Sequence, residues 1–241
     1  MTDAPSPGSG AAPPPEPRQT RDDRAAWGEV SPGEPRWPPL VAVLVVIGLQ
    51  VALPQSLLVA LGPRWLVPAV EGVLLAALLV TNPHQVDRAE SNLRLLSLAM
   101  IAVITVANVI ALGELIHALL DHTTAPGRSL VFASVPIWLT NVIAFGLWYW
   151  EIDRGGVTAR MLPHHRQPDF LFPQMVTPAA SPAWTPQFLD YLYTSFTNAT
   201  AFSPTDTMPL TARVKLLMMV QSLASLLTVA LVVSRAVNIL K

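Results

Sequence analysis

The chain has no cysteine, so disulfides and thiolate metal sites are excluded from the outset. It is also poor in charge. Charged residues make up 13% of 241, where a soluble domain carries about a quarter. The net charge of -1 offers no basic surface for nucleic acid. Also missing are a glycine-rich phosphate loop, an HExxH helix and a GxSxG elbow. The adjacent His164 and His165 lie in a proline-rich stretch and read as solvated. No nucleophile or metal spacing accompanies the carboxylates Glu151 and Asp153, so the sequence argues for no enzyme and no cofactor.

What is present is apolar. Hydrophobic residues reach 51% and cluster in runs suited to crossing a bilayer, which needs roughly 20 apolar residues per helix. Five spanning helices are expected: about Leu40–Leu53 (with a continuation past Pro54 through QSLLVALG), Trp65–Val80, Leu95–Leu120, Leu130–Trp150 and Val214–Leu240. Trp37, Trp65 and the LWYW cluster at Leu147–Trp150 mark interfaces. Residues 1–39, rich in Pro, Gly, Ala and charge, cannot bury enough surface to fold and read as a disordered tail. The PPPEP stretch within it is a candidate partner motif, with a solvated tail as the simpler reading.

Lys and Arg are asymmetric. With a cytoplasmic N-terminus, eleven fall on the cytoplasmic side (Arg18, Arg21, Arg24, Arg36, Arg88, Arg94, Arg154, Arg160, Arg166, Arg213 and Lys215) and three on the other (Arg64, Arg128 and Lys241). The same orientation places residues 151–211 on the cytoplasmic side.

Before the last apolar run, Thr185 and Pro186 suit a helix start, and QFLDYLYTSFTNAT reads as a helix of about 14 residues, roughly 21 Å. That is too short to cross a membrane. Pro204 and Pro209 block continuation, so a half-helix, a polar return and a full crossing follow one another, as in a re-entrant loop. The expected organisation is all-α: a tail (1–39), a four-helix membrane region (40–150), a proline-rich loop (151–186), and a pore-loop-like unit with the last helix (187–241).

SFTNATAFSPTDTMPLTARVKLLMMVQSLASLLTVALVVSRAVNI resembles the pore helix, filter and inner helix of the two-helix potassium-channel module. Thr200, Ala201 and Phe202 fall on the Thr-Thr-Val positions of that family, and Asp206, Pro209 and Thr211 on its Asp, Pro and Thr. Ser203 and Thr205 replace the filter glycines, and Pro204 replaces the aromatic. Those residues resist the backbone angles that aim every carbonyl inward, so potassium selectivity is not carried over. The resemblance implies a homo-tetramer with Thr200–Asp206 along a monovalent-cation path and a carboxylate ring at Asp206. The Arg count turns this loop towards the cytoplasm, as in ionotropic glutamate receptors. The chain also resembles an uncharacterised bacterial family of multi-pass inner-membrane proteins sharing the strings LWYWEIDRGG, DFLFPQM and YLYTSFTNATAFSPTD. A non-conducting membrane scaffold is the competing class. A transporter would call for an inverted repeat, and none is visible.

Four ionisable residues fall within the apolar runs: Glu71, Glu114, His117 and Arg235. Such residues are costly in lipid and are usually paired. An Arg235 pair with Glu71 or Glu114 is expected, and a proton or ion relay through Glu114 and His117 is the alternative. Asn108 and Asn141 read as interhelical hydrogen-bonding groups. Gly155 or Gly156 suits a left-handed helix cap, and Glu151 and Asp153 call for arginine partners.

Overall fold

A computed structural model describes residues 34–35, 37–80, 89–120, 127–160, 167–177, 184–200 and 206–239. The fold is built almost wholly of helices: α1 (Trp37–Ala52), α2 (Leu66–Val80), α3 (Ala89–Leu120), α4 (Gly127–Ile152), the one-turn α5 (Val157–Arg160) and α6 (Pro173–Val176), α7 (Phe188–Thr200) and α8 (Ala212–Ile239). The only sheet among the described residues is a two-stranded ribbon. In it β1 (Phe170–Leu171) runs antiparallel to β2 (Met208–Pro209), with Phe170 opposite Pro209.

Three helical stretches are long and apolar enough to cross a membrane: Leu93–Leu120, Ser129–Gly155 and Ala212–Val233. α1 and α2 are apolar but shorter. The first apolar run does not continue past Pro54 as an α-helix. α1 ends at Ala52 and gives way to 3-10 turns at Gln55–Leu57 and Val59–Leu61, because Pro54 has no N–H to extend the ladder. Gly62, at φ 80°, then turns the chain towards α2.

α4 is the hub of the bundle, packed against α1, α3, α7 and α8. One core gathers Val43, Val46, Ile101, Ile104, Phe145, Tyr149, Phe170 and Tyr191; a second gathers Leu57, Leu112, Leu115, Leu130 and Ile137. α7 comes close to α4 at Gly146, where a Cβ would stand 3.2 Å from the Leu192 backbone.

α8 is inverted relative to a helix of a water-soluble protein. The stripe it buries is Val214, Met218, Gln221, Ser225 and Thr228, polar through its middle. The face it exposes is Leu216, Met219, Val220, Leu223, Leu226, Val229 and Val233. Apolar surface outside and hydrogen-bonding groups inside is the arrangement suited to an apolar solvent.

The Glu71 arm of the sequence expectation for Arg235 is corrected. Glu71, fully buried, accepts a hydrogen bond from Gln50 Nε2 at 2.8 Å, so its partner is an amide on α1 and not Arg235 on α8. Arg235 Nε has no partner among the described residues. Glu114 is half-buried on α3 and His117 is exposed one turn later. Asn141 does bridge helices, donating to Ser225 Oγ of α8 at 2.9 Å.

Candidate functional site

α7 begins at Phe188, two residues after Pro186. The Gln187 N–H, which would otherwise be an orphan of the first turn, is taken by the Asp190 carboxylate at 2.8 Å. Its 13 residues span about 20 Å. It lies antiparallel to α4, as its contacts show in order. Phe188 meets Trp150 (ring centroids 5.9 Å), Tyr191 reaches Asp153, Ser195 Oγ donates to the Val142 carbonyl (2.6 Å), and Phe196 meets Trp138 (5.8 Å). The helix therefore runs from the C-terminal end of α4 to its middle. The return is tied to the starting end: Thr194 Oγ1 and Thr207 Oγ1 are 3.3 Å apart, β2 pairs with β1, and Thr211 Oγ1 donates to Asp169 at 2.7 Å. The segment enters and leaves at one end of the α4–α8 pair.

A buried polar network holds α7 between those two helices, centred on the fully enclosed Gln221 of α8. Gln221 Nε2 donates to the Ser195 carbonyl (2.9 Å) and to Ser195 Oγ (2.6 Å). Its Oε1 accepts from Tyr149 OH (2.5 Å) and from Asn198 Nδ2 (2.7 Å). Asn198 also donates to the Met218 carbonyl at 3.0 Å, and its Oδ1 accepts from Ser222 Oγ at 3.1 Å. Both polar ends of Gln221 are thus satisfied, the condition for a polar group to be tolerated in a low-dielectric core.

At the shared end stands a knot of charges. α4 closes through Arg154, held at φ 56°, and Gly155 and Gly156 at 90° and 101°, so the left-handed cap takes three residues. This bend buries Asp153 completely, where it accepts from Tyr191 OH (2.6 Å) and from the Asp169 N–H (2.8 Å). Arg154 Nε lies 3.5 Å from it. Arg160 is 4% exposed and donates to the Trp150 and Asp153 carbonyls, while its guanidinium pairs with Glu34 at 3.1 Å. Glu34 also accepts from Trp150 Nε1 at 2.7 Å, fixing the chain just before α1. Glu151 faces Arg94 of α3 at 3.8 Å. Arg94, Arg154, Arg160 and Arg213, which positive-charge counting assigns to one side, gather at this one end.

Asp169 joins the knot to α8. Its carboxylate accepts from Arg213 Nε and Nη2 (2.9 and 2.5 Å), from Thr211, and from the Arg154 N–H at 3.0 Å. Burial works to raise its pKa, but the bonds from Arg213, Thr211 and the Arg154 backbone outweigh it and hold the carboxyl below its ordinary value. A depressed native pKa contributes stability that is present above the unfolded value, about 4, and lost as pH falls through the native one. Asp169→Asn should therefore flatten the acid side of the melting temperature against pH curve. An unchanged acid side would assign that loss to other carboxyls.

Of the residues singled out along the expected cation path, Thr200 ends α7 with its hydroxyl donated to the Thr197 carbonyl at 2.9 Å. Ala201, Phe202, Ser203, Pro204 and Thr205 lie outside the described residues. Asp206 is exposed, and with Asp190, Tyr193, Gln174 and Thr207 it lines a cavity of about 360 Å³. No group of three His, Asp or Glu side chains among the described residues is placed to hold a metal. Sequence reasoning passed over Tyr149, Asp169, Tyr191, Ser195, Asn198 and Gln221 as site residues. The signal was nevertheless there: LWYWEIDRGG, DFLFPQM and YLYTSFTNAT supply most of the two networks. Comparison with known proteins adds nothing to this geometry: no family model, curated protein or solved structure matches the chain.

Proposed function

We propose that the chain is a multi-pass protein of the bacterial inner membrane, with five spanning helices and one re-entrant half-helix. In this reading its N-terminus is cytoplasmic and four copies place residues 200–206 around a path for monovalent cations. The observation that carries this reading is α7. A helix half the length of its neighbours is gripped between α4 and α8, and its segment returns to the end where it began. Non-helical backbone at membrane depth needs protein or water around it, and an axis between copies supplies both. The apolar outward face of α8 supports lipid and sister subunits as its surroundings. Asp190 and Asp206 in one cavity at the return give an entrance of negative charge. Hydroxyls and carboxylates there suit a cation that keeps part of its water, since the loop has no glycine to turn carbonyls inward.

The test is flux. Purified protein should run as a tetramer and pass K⁺ or Na⁺ when reconstituted in liposomes. Asp206→Asn should lower cation over anion preference, most clearly at low ionic strength, where the Debye length is about 30 Å at 0.01 M. Monomeric protein, or liposomes silent to every cation at all voltages tried, would establish the scaffold reading instead.

A further inference from the structure

The first two helices hold a second polar feature, remote from the 200–206 loop. Glu71 on α2 is fully buried and Gln50 on α1 is 7% exposed. Gln50 Nε2 donates to Glu71 Oε1 at 2.8 Å, which sets the end of the carboxamide against the end of the carboxyl. The second atom of each group is left over: Gln50 Oε1 and Glu71 Oε2 are buried acceptors with no donor among the described residues. No salt bridge among the described residues reaches Glu71. Arg64, the one basic residue from Trp37 to Val80, is exposed and donates to the Val51 carbonyl. On α3, which packs against α2, Arg94 faces Glu151, Glu114 is half-buried and His117 is exposed.

We infer that Glu71 is a proton-binding site: its carboxyl carries a proton on Oε2 and donates it to Gln50 Oε1. A single hydrogen then satisfies both orphaned oxygens. A carboxylic acid and a carboxamide each offer a donor and an acceptor, so the two groups close a ring of one N–H···O and one O–H···O bond with no net charge. The terminal torsions of Gln and Glu are broad, and small rotations align the second bond without disturbing the first. The ionised form would instead place a carboxylate between apolar helices with no counter-charge, and a group in that position neutralises itself. The ring clasps α1 to α2 two residues before α1 ends at Ala52, where the backbone passes into 3-10 turns. The pair uses no residue of the proposed cation path, so either assignment can fail alone.

Infrared absorption and thermal unfolding of the full chain in detergent at neutral pH test this. The wild-type protein should show the carbonyl stretch of a protonated, hydrogen-bonded carboxyl, and Glu71→Gln should lose that band, the other carboxyls cancelling in the difference. Glu71→Gln should also melt close to wild type, because its amide N–H replaces the acid O–H towards Gln50 Oε1. Gln50→Leu strips the acid of both bonds and should lower the melting temperature by several degrees. A carboxyl band unchanged by Glu71→Gln would overturn the assignment, since it would show Glu71 ionised. So would a Glu71→Gln protein that fails to fold or melts as low as Gln50→Leu, which would make the negative charge itself the stabilising element. A Gln50→Leu protein as stable as wild type would overturn it too.

Discussion

Asp153→Asn should destabilise this protein by about 3–5 kcal/mol, the range for removing one partner of a buried ion pair. The size follows from what the carboxylate leaves behind. Arg154, 4% exposed, loses a fully buried carboxylate 3.5 Å from its Nε, and Arg160, also 4% exposed, keeps Glu34 but loses the second negative charge acting on it. Tyr191 OH and the Asp169 N–H lose a charged acceptor at 2.6 and 2.8 Å. An amide of the same shape restores one neutral bond at most and none of the charge. Tyr191→Phe isolates the hydrogen bond alone and should cost only about 1–2 kcal/mol. The pair of variants, unfolded in mixed micelles, separates the two contributions. A loss for Asp153→Asn no larger than that for Tyr191→Phe would show that the arginines are neutralised by other groups.

Gln221→Leu should be the second large effect, a loss of about 2–4 kcal/mol. Leucine fits the volume but leaves the Tyr149 hydroxyl, one Asn198 N–H and the Ser195 carbonyl without the partner they have now. Each unsatisfied buried group costs about 1–3 kcal/mol. Surroundings of lipid reduce the sum, because interhelical hydrogen bonds there average about 0.6 kcal/mol in double-mutant cycles. The network also predicts coupling. Asn198→Ala alone removes the donor to Oε1 and to the Met218 carbonyl, so adding it to Gln221→Leu should cost less than the two separate losses combined. Additive losses would mean that Asn198 and Gln221 act independently. Since this network seats α7, the same variants should disturb the proposed flux before they unfold the chain.

The helices were legible because they are local. Apolar run length, Pro54 and the glycines after Asp153 act within a few residues, and the bounds expected for the apolar helices match the observed ones to within a few residues at most ends, while three of the five are long enough to span. The exception at the start of α3, Ala89 instead of Leu95, adds a polar turn carrying Glu90 and Arg94 that no hydropathy run marks. The half-length α7 was also readable, since Thr185 and Pro186 suit its start and Pro204 and Pro209 block its continuation. The demand of Glu151 and Asp153 for arginine could be read from their position at the negative end of a helix dipole.

Which groups answer those demands is another kind of information. Sequence pairing sent Arg235 to Glu71 or Glu114 because all three are charged and of similar expected depth. The fold gave Glu71 an uncharged partner 21 residues away, because α1 and α2 fold back on each other. Asp169 finds Arg213 across 44 residues, and Tyr149 finds Gln221 across 72. These contacts depend on which face α4 turns to α7 and α8, a choice set by close packing at Gly146 and by the requirement that every buried polar group be satisfied at once. The amino-acid order by itself determined the helices, their lengths and the solvent they suit. Only the tertiary structure decided the partners, because hydrogen bonds in a core are chosen by distances in space that no local period encodes.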